Sequence, residues 1–271
     1  MLSSLSLTSL TDASGRGDGP LLVAWQRPPG GRLVCAPGEL HLWRHALASS
    51  PGGSDGNDEE RGAAPWPLLS TDERERAARF HFARDRNNYV AARGGLRLIL
   101  SRYTGLAPAE LTFSYGAQGK PALVRTGTAP GLAFNLAHSG AYAVYAVGNA
   151  RRVGIDVERI RPEVCTDELA AATFSPRELG ALRALAATER PDRFFTLWTC
   201  KEAYVKARGE GLSIPLDSFD VVFGTGGGVR LDAGAGADGE PWHLRAFRLS
   251  DGYPAALVHD GDRATCRFYD L

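Results

Sequence analysis

The sequence has few cysteines, a single methionine and no long uninterrupted apolar run. The four cysteines, Cys35, Cys165, Cys200 and Cys266, lie far apart, and none of the paired spacings of a zinc site or a redox motif occurs among them. They are therefore expected to be reduced structural thiols of a cytoplasmic protein. No apolar stretch reaches the length that crosses a bilayer, and the N-terminus lacks the basic start of a secretory signal.

The sequence also lacks net charge. Its 31 basic residues balance 31 acidic residues over 271 positions, so no overall field draws the chain to nucleic acid or to an anionic membrane. Any anion site must therefore be built locally. The apolar fraction of 44% is ordinary for a globular core, and the length allows one large domain or two modest ones.

Two segments have the composition of loops. Residues 1–38 are rich in glycine, proline and serine, which predicts a loosely ordered N-terminal extension with a possible strand over 21–25. Residues 49–65 are polar and rich in glycine, which predicts a flexible loop.

The rest of the chain shows helix signals and then strand signals, twice over. Ser70 begins one helix-capping pattern and Ser175 begins a second, and each helical region is followed by short strand-like segments separated by turn residues. This order predicts an α+β protein of two similar halves, over 39–148 and 149–271. No repeat is visible at the level of individual residues.

The first chemical candidate is a pair of carboxylates in a strand. Asp156 and Glu158 are two positions apart, so their side chains project from the same face. Oxygen ligands of this kind suit magnesium, whose shell substrate phosphates can complete. The alternative is an exposed strand end whose acids pair with neighbouring bases, namely Arg151, Arg152 or Arg159.

The second candidate lies on the helix predicted for WTCKEAYVK. Trp198, Glu202 and Lys206 are four residues apart and share one face. An ordinary helix ion pair explains Glu202 and Lys206 equally well. If Glu202 meets Asp156 and Glu158, three acids beside a lysine could bind a metal ion and a diphosphate together.

Three further groups could bind phosphate. Lys120 stands at a proline-fixed turn, where a lysine can also serve solubility alone. His138 follows a strand and precedes Ser139 in a tight turn; a serine-histidine nucleophile is discounted, because adjacent strand residues face opposite ways and no GxSxG elbow occurs. Arg86, Arg93 and Arg97 share one helix face, which fits either a solvated surface or a phosphate site.

The order and wording of these motifs resemble a known family. GKP, FNLAHSG, VGIDVER, FSPRE and FFTLWTCKEAYVKARGEGLSIPLDSF follow one another along the chain, as they do in the 4'-phosphopantetheinyl transferases of the Sfp type. The resemblance runs from about Leu40 to the C-terminus. It implies a pseudo-twofold molecule of two similar halves, each a small antiparallel sheet packed with helices, with coenzyme A and magnesium in the cleft between them.

The resemblance also implies roles for individual residues. Asp156, Glu158 and Glu202 match magnesium ligands, and Lys206 matches a lysine that neutralises the pyrophosphate of the coenzyme. Most metal ligands would then come from the C-terminal half.

The coenzyme's adenosine end is also matched. Lys120 and His138 match residues that hold the adenosine and its 3'-phosphate, and Arg93 and Arg86 match arginines that reach the same phosphate. Ala137 departs from the family, since many members have serine at that position, and one hydroxyl contact to the coenzyme is therefore expected to be missing.

The expected reaction is attack by a serine hydroxyl of an apo acyl or peptidyl carrier protein on coenzyme A, which releases adenosine 3',5'-bisphosphate. Glu202, Lys206 and Asp156 are the expected catalytic residues, with Glu202 as the base. The chain is expected to act as a monomer. Two other functions stay open: a magnesium-dependent phosphohydrolase or pyrophosphatase that uses the same acids, and a catalytically inactive module that binds carrier domains.

Overall fold

The structure is a computed structural model that describes residues 22–47, 65–124, 131–150, 152–224, 228–233 and 241–271. The predicted loop over 49–65 lies outside these ranges apart from its last residue, as do residues 1–21 of the predicted extension and Arg151. Within the described residues, no helix is both long enough and apolar enough to cross a membrane.

The first half of the chain contains a sheet, two helices and a hairpin. In chain order these are β1 (Glu39–Ala46), α1 (Thr71–Ala78), α2 (Ala83–Thr104), β2 (Phe113–Tyr115), β3 (Pro121–Leu123), β4 (Ala133–Ser139) and β5 (Tyr142–Gly148). Strands β1, β5 and β4 pair antiparallel in that spatial order, and β2 pairs with β3. The sequence predicted that His138 follows the strand. Because β4 runs through Ser139, His138 instead lies within it.

The second half repeats this order of elements. It consists of β6 (Val153–Val157), α3 (Asp167–Thr173), α4 (Pro176–Arg183), α5 (Arg190–Arg208), β7 (Asp220–Phe223), β8 (Val229–Asp232), β9 (Trp242–Ser250) and β10 (Tyr253–Asp260), followed by β11 (Thr265–Asp270). The sheet order β6-β10-β9 mirrors β1-β5-β4, and the hairpin β7–β8 mirrors β2–β3. The α+β fold predicted from the sequence is confirmed.

A repeat at the residue level, which the sequence did not reveal, appears in how each long helix is anchored. In both halves a capping-box glutamate returns to the backbone N–H of a serine, Ser70 or Ser175. The same glutamate, Glu73 or Glu178, accepts a bond from a buried base of the long helix. That base also donates to two carbonyls in the segment after the helix.

The two sheets meet along β6, which packs beside β4 and β5. A bond joins the halves at this seam, because the backbone N–H of Ile155 donates to Oδ1 of Asn135 at 2.8 Å. One apolar core spans the seam and takes side chains from both sheets, among them Leu42, Val144, Val153, Ile155, Phe247 and Leu257. The surroundings of β6 are therefore built from both halves.

Strand β11 departs from a simple two-half division. It comes last in the chain but pairs parallel with β1, so the C-terminus completes the first sheet. The strand expected over 21–25 is not formed in its described part, where Leu22 makes only an isolated bridge to Arg248; Gln26, directly after it, makes another to Tyr269. The assignment of 39–148 and 149–271 as separate domains stays a prediction.

Candidate active site

The site begins with the close approach of α5 to β6. Gly154 and Asp156 lie on the same face of β6, which is turned toward the helix. A Cβ atom at Gly154 would lie 2.0 Å from the carbonyl oxygen of Ala203 and 2.4 Å from the backbone nitrogen of Ala207. Glycine on the strand and alanines on the helix therefore allow the backbones to touch, which brings Lys206 beside Asp156.

Asp156 and Lys206 form a partly enclosed ion pair. The Nζ atom of Lys206 lies 2.5 Å from Oδ1 of Asp156, and Asp156 is only 3% exposed. Burial raises the pKa of Asp156 to about 7 against the pull of Lys206, with further contributions from Glu158 and Glu202. Burial disfavours the charge of Lys206, but Asp156 and the other two acids raise its pKa overall.

Glu158 is held by a residue from the other half of the molecule. Oγ of Ser139, at the end of β4, donates to Oε2 of Glu158 at 2.6 Å and accepts the backbone N–H of Arg159 at 3.1 Å. Ala137, where the family often has serine, is buried. The hydroxyl after His138 therefore holds Glu158, a role that was not assigned to Ser139 from the sequence.

The three expected magnesium ligands lie in one neighbourhood but do not form a ready-made cage. Across the described residues, no group of three or more His, Cys, Asp and Glu side chains is arranged to hold a metal ion. One feature nevertheless fits a cation: Oδ2 of Asp156 is buried and has no hydrogen-bond partner among the described residues. A buried carboxylate oxygen without a partner is costly, and hard oxygen donors suit magnesium.

His138 lies within electrostatic reach of both α5 and the first turn of α2. Desolvation by the surrounding protein and the ammonium group of Lys206 lower the pKa of His138, while Asp85 in the first turn of α2 opposes them. His138 is exposed as a whole. The imidazole is thus accessible to a ligand, and its role as a coenzyme-binding residue stays a prediction.

The side chain of Lys120 contacts the protein backbone, and its expected role at the coenzyme's adenosine and 3'-phosphate stays a prediction. Its Nζ atom donates to the carbonyl of Val153 at 2.8 Å and to the carbonyl of Lys206 at 2.5 Å. Burial lowers the pKa of Lys120 to about 8; Asp260 opposes this shift and Arg152 adds to it. The amine therefore crosses the seam and binds the backbone of the second half.

The arginine stripe on α2 is largely internal. Arg93 is 6% exposed and donates to Glu73 at 2.8 Å and to the hydroxyl of Tyr115 at 3.0 Å. Arg97 is fully buried and donates to the same glutamate. Arg86 is partly exposed in the first turns of α2, so of the three it is the one that a ligand can reach most easily. Phosphate binding by Arg86 and Arg93 stays a prediction.

Two arginines that the sequence reasoning missed face an open cavity. The cavity, of about 650 Å³, lies between α1, α2 and the turn before Lys120, and Arg76, Arg79, Tyr115 and Gly119 are among its lining residues. Arg76 lies in the last turn of α1 and Arg79 caps its end. The sequence of this segment is typical of a solvent-exposed helix, so only the fold reveals that the two arginines face the turn beside Lys120.

Two family models match the chain in succession. One, described as "4'-phosphopantetheinyl transferase, N-terminal", matches residues 63–149, and the other, described as "4'-phosphopantetheinyl transferase superfamily", matches residues 152–258. The second match contains the β6 acids and the helix that carries Glu202 and Lys206.

Curated relatives agree with these matches. The 4'-phosphopantetheinyl transferase HetI of Nostoc sp. (strain PCC 7120) is 40% identical over 187 residues, which cover 69% of this chain and 75% of that protein. A 4'-phosphopantetheinyl transferase of Bacillus subtilis is 33% identical over 189 residues, 70% of this chain and 81% of that protein. A solved holo-(acyl-carrier-protein) synthase from Bacillus anthracis in complex with CoA (3',5'-ADP) aligns with 42% of this chain and 98% of that chain, at 23% identity and a TM-score of 0.35.

Proposed function

Since the chain belongs to the 4'-phosphopantetheinyl transferase family, we propose that it transfers the 4'-phosphopantetheine arm of coenzyme A to a serine of an apo acyl or peptidyl carrier protein. The observation that carries the proposal is the cluster on β6 and α5, where Lys206 meets Asp156 and both Glu158 and Glu202 act electrostatically on that pair. In such a cluster the carboxylates can bind a metal ion, and the lysine can neutralise a diphosphate.

The reaction needs placement and charge neutralisation more than covalent help. The serine oxygen of the carrier attacks the phosphorus that bears the pantetheine arm, the bond from this phosphorus to the bridging oxygen breaks, and adenosine 3',5'-bisphosphate leaves. The hydroxyl proton passes to a carboxylate, for which Glu202 is the candidate, because it is partly exposed and acts electrostatically on Asp156 and Lys206. Lys206 neutralises the negative oxygens of the diphosphate.

Asp156, Glu158 and Glu202 would hold a magnesium ion. When bound, the ion supplies charge for the diphosphate oxygens. The protein's own part is to orient the ligands: Ser139 holds Glu158, and Lys206 holds Oδ1 of Asp156 while Oδ2 stays without a partner among the described residues.

The coenzyme's adenosine phosphates would lie on the α1–α2 side of the cleft. From the expected set we assign His138 and Arg86 to this contact, and Arg76 and Arg79 add two cations at the neighbouring cavity. The arginine stripe then contributes through Arg86 at its exposed end, whereas Arg97 is bound to Glu73 and to two carbonyls.

The deciding experiment mixes the protein, coenzyme A, magnesium and an apo carrier protein and weighs the carrier by mass spectrometry. Addition of the phosphopantetheine arm is expected, and a chelator should prevent it. Asp156→Asn should abolish the addition while the circular dichroism spectrum stays that of the wild type. Asp262→Asn, at an exposed carboxylate before β11, is the matched control and should transfer normally. An unmodified carrier with hydrolysed coenzyme would instead support the phosphohydrolase.

A further inference from the structure

The side chain of Lys120 joins the two halves at the elements that carry the active site. It leaves the hairpin β2–β3 of the first half directly after Gly119, whose φ of +75° closes the turn. Its amine reaches Val153, the first residue of β6, and Lys206, in the last turn of α5. Both acceptors are backbone carbonyls of the second half.

The helix end offers this amine a natural partner. The last four carbonyls of an α-helix have no partner within the helix, and Lys206 is among the last four residues of α5. A cation is favoured there by the helix dipole. Lys120 therefore satisfies a carbonyl at the end of α5 and, through the same atom, one at the start of β6.

This contact fixes the distance on which the site depends. Gly154 touches the backbone of α5, and Lys206 reaches Asp156 from the same helix turn whose carbonyl Lys120 binds. A shift of α5 along β6 would separate the side chains of Glu202 and Lys206 from the strand acids. The amine also has little freedom to turn toward a ligand while it holds two carbonyls.

Given the proposed function, we propose that Lys120 is a positioning residue, which holds α5 in register with β6, and that it does not bind the coenzyme's phosphate. Its removal should then affect turnover and leave coenzyme binding intact. A lysine that neutralised a phosphate would behave in the opposite way, since loss of a charge-assisted hydrogen bond weakens binding by roughly tenfold or more.

The test compares Lys120→Met, which keeps the length of the side chain without its donor, with Lys120→Gln, which keeps a neutral donor. We expect kcat to fall by on the order of 10- to 100-fold in Lys120→Met and by less in Lys120→Gln, while calorimetry shows coenzyme A affinity close to that of the wild type. Weakened coenzyme binding with unchanged kcat would overturn the proposal.

Arg32→Gln is the matched control. Arg32 donates to the carbonyl of Tyr103 in the last turn of α2, so the variant removes a basic cap from the equivalent helix of the other half. Its kcat should stay that of the wild type; an equal loss of kcat would show a general stability effect and overturn the specific role of Lys120.

Hydrogen exchange separates this proposal from the proposed function. In Lys120→Met the amides at the end of α5 and the start of β6 should exchange faster than in the wild type, whether or not the wild type modifies a carrier. A wild type that leaves every carrier unmodified would refute the transferase. Equal exchange rates of these amides in the two proteins would refute the proposal that Lys120 holds α5 against β6.

Discussion

The environment of Asp156 opposes its expected function as a metal ligand. Its carboxylate must be ionised to bind a cation, but its burial favours the protonated form. The pKa of about 7 lies above the ordinary value of 3.8, so the folded chain holds a proton that the unfolded chain releases. Between these two pH values the contribution of Asp156 to the free energy of unfolding therefore falls as the pH rises.

Asp156→Asn should remove this pH dependence, because an amide carries no charge at any of these pH values. With a chelator present, we expect the Tm of the variant to rise relative to that of the wild type as the pH increases from about 4 to about 7. Added magnesium should raise the Tm of the wild type alone. Parallel curves for the two proteins would contradict the shifted pKa.

Lys201 shows how neighbouring residues of one motif divide structure from chemistry. It stands beside Glu202 in the sequence but is fully buried and lies 2.8 Å from Oε2 of Glu178. Removing one partner of a buried pair leaves the other charge uncompensated, so Lys201→Met should lower the free energy of unfolding by about 3 to 5 kcal/mol, measured by urea denaturation.

Arg230→Met is the control for this loss. Arg230 pairs with Asp232 on the surface, where an ion pair contributes about 0 to 1 kcal/mol. A similar small effect at Lys201 would mean that the buried pair does not anchor α5.

At the scale of elements, the packing of α5 on β6 depends on the absence of a side chain at Gly154. Gly154→Ala would place a methyl group against the helix backbone, which cannot give way as a flexible side chain can. We expect a loss of about 1 to 3 kcal/mol in the free energy of unfolding, and slower transfer as Lys206 moves from Asp156.

Gly180→Ala provides the opposite case within a helix. A Cβ at Gly180 of α4 meets no atom within 4 Å, so alanine should stabilise the protein by about 0.5 to 1 kcal/mol through its helix propensity. Equal stability changes at the two glycines would show that the contact with α5 does not limit residue 154.

The sequence predicted these elements well where the signal is local. The capping serines mark the starts of α1 and α4, and Gly209, with φ of +74°, ends α5. Spacing likewise placed Asp156 and Glu158 on one face, whereas their role as magnesium ligands stays a prediction.

Partners that are distant in the sequence could not be predicted. The arginine stripe was interpreted as a surface or a phosphate site because Glu73, which binds Arg93 and Arg97, is about 20 residues away and looks like an ordinary capping residue. Lys120 likewise resembles any turn lysine until the fold brings Val153 to its amine. Periodicity reports which residues share a face, but not what that face meets.

At the scale of the whole molecule, the chain ends tie the two halves together. Strand β11 leaves the second half and joins β1 of the first sheet. The segment from Leu22 to Gln26 crosses the same region, with one bridge to β9 and one to β11. Neither pairing has a local sequence signal, because each joins residues more than 200 positions apart.

Trp25 is the centre of this crossing. Its ring packs 5.3 Å from Phe268 and 6.5 Å from Phe247, measured between ring centroids, and the guanidinium of Arg44 lies over it at 5.0 Å. Its Nε1 atom donates to the carbonyl of Leu249 at 3.1 Å. One side chain thus contacts strands of both sheets.

Trp25→Ala should loosen the seam between the halves. We expect a loss of up to about 3 kcal/mol in the free energy of unfolding, at the low end of aromatic truncations because the ring is only half-buried. Trp25→Phe keeps the ring contacts and loses the hydrogen bond, which should cost about 1 kcal/mol.

Calorimetry would measure the stability of both variants. Two separate transitions in Trp25→Ala would show that the halves unfold independently without this contact. A wild-type Tm in Trp25→Ala would show instead that the seam core and β11 hold the halves without it, because the hydrophobic contact between the sheets is continuous beneath the segment.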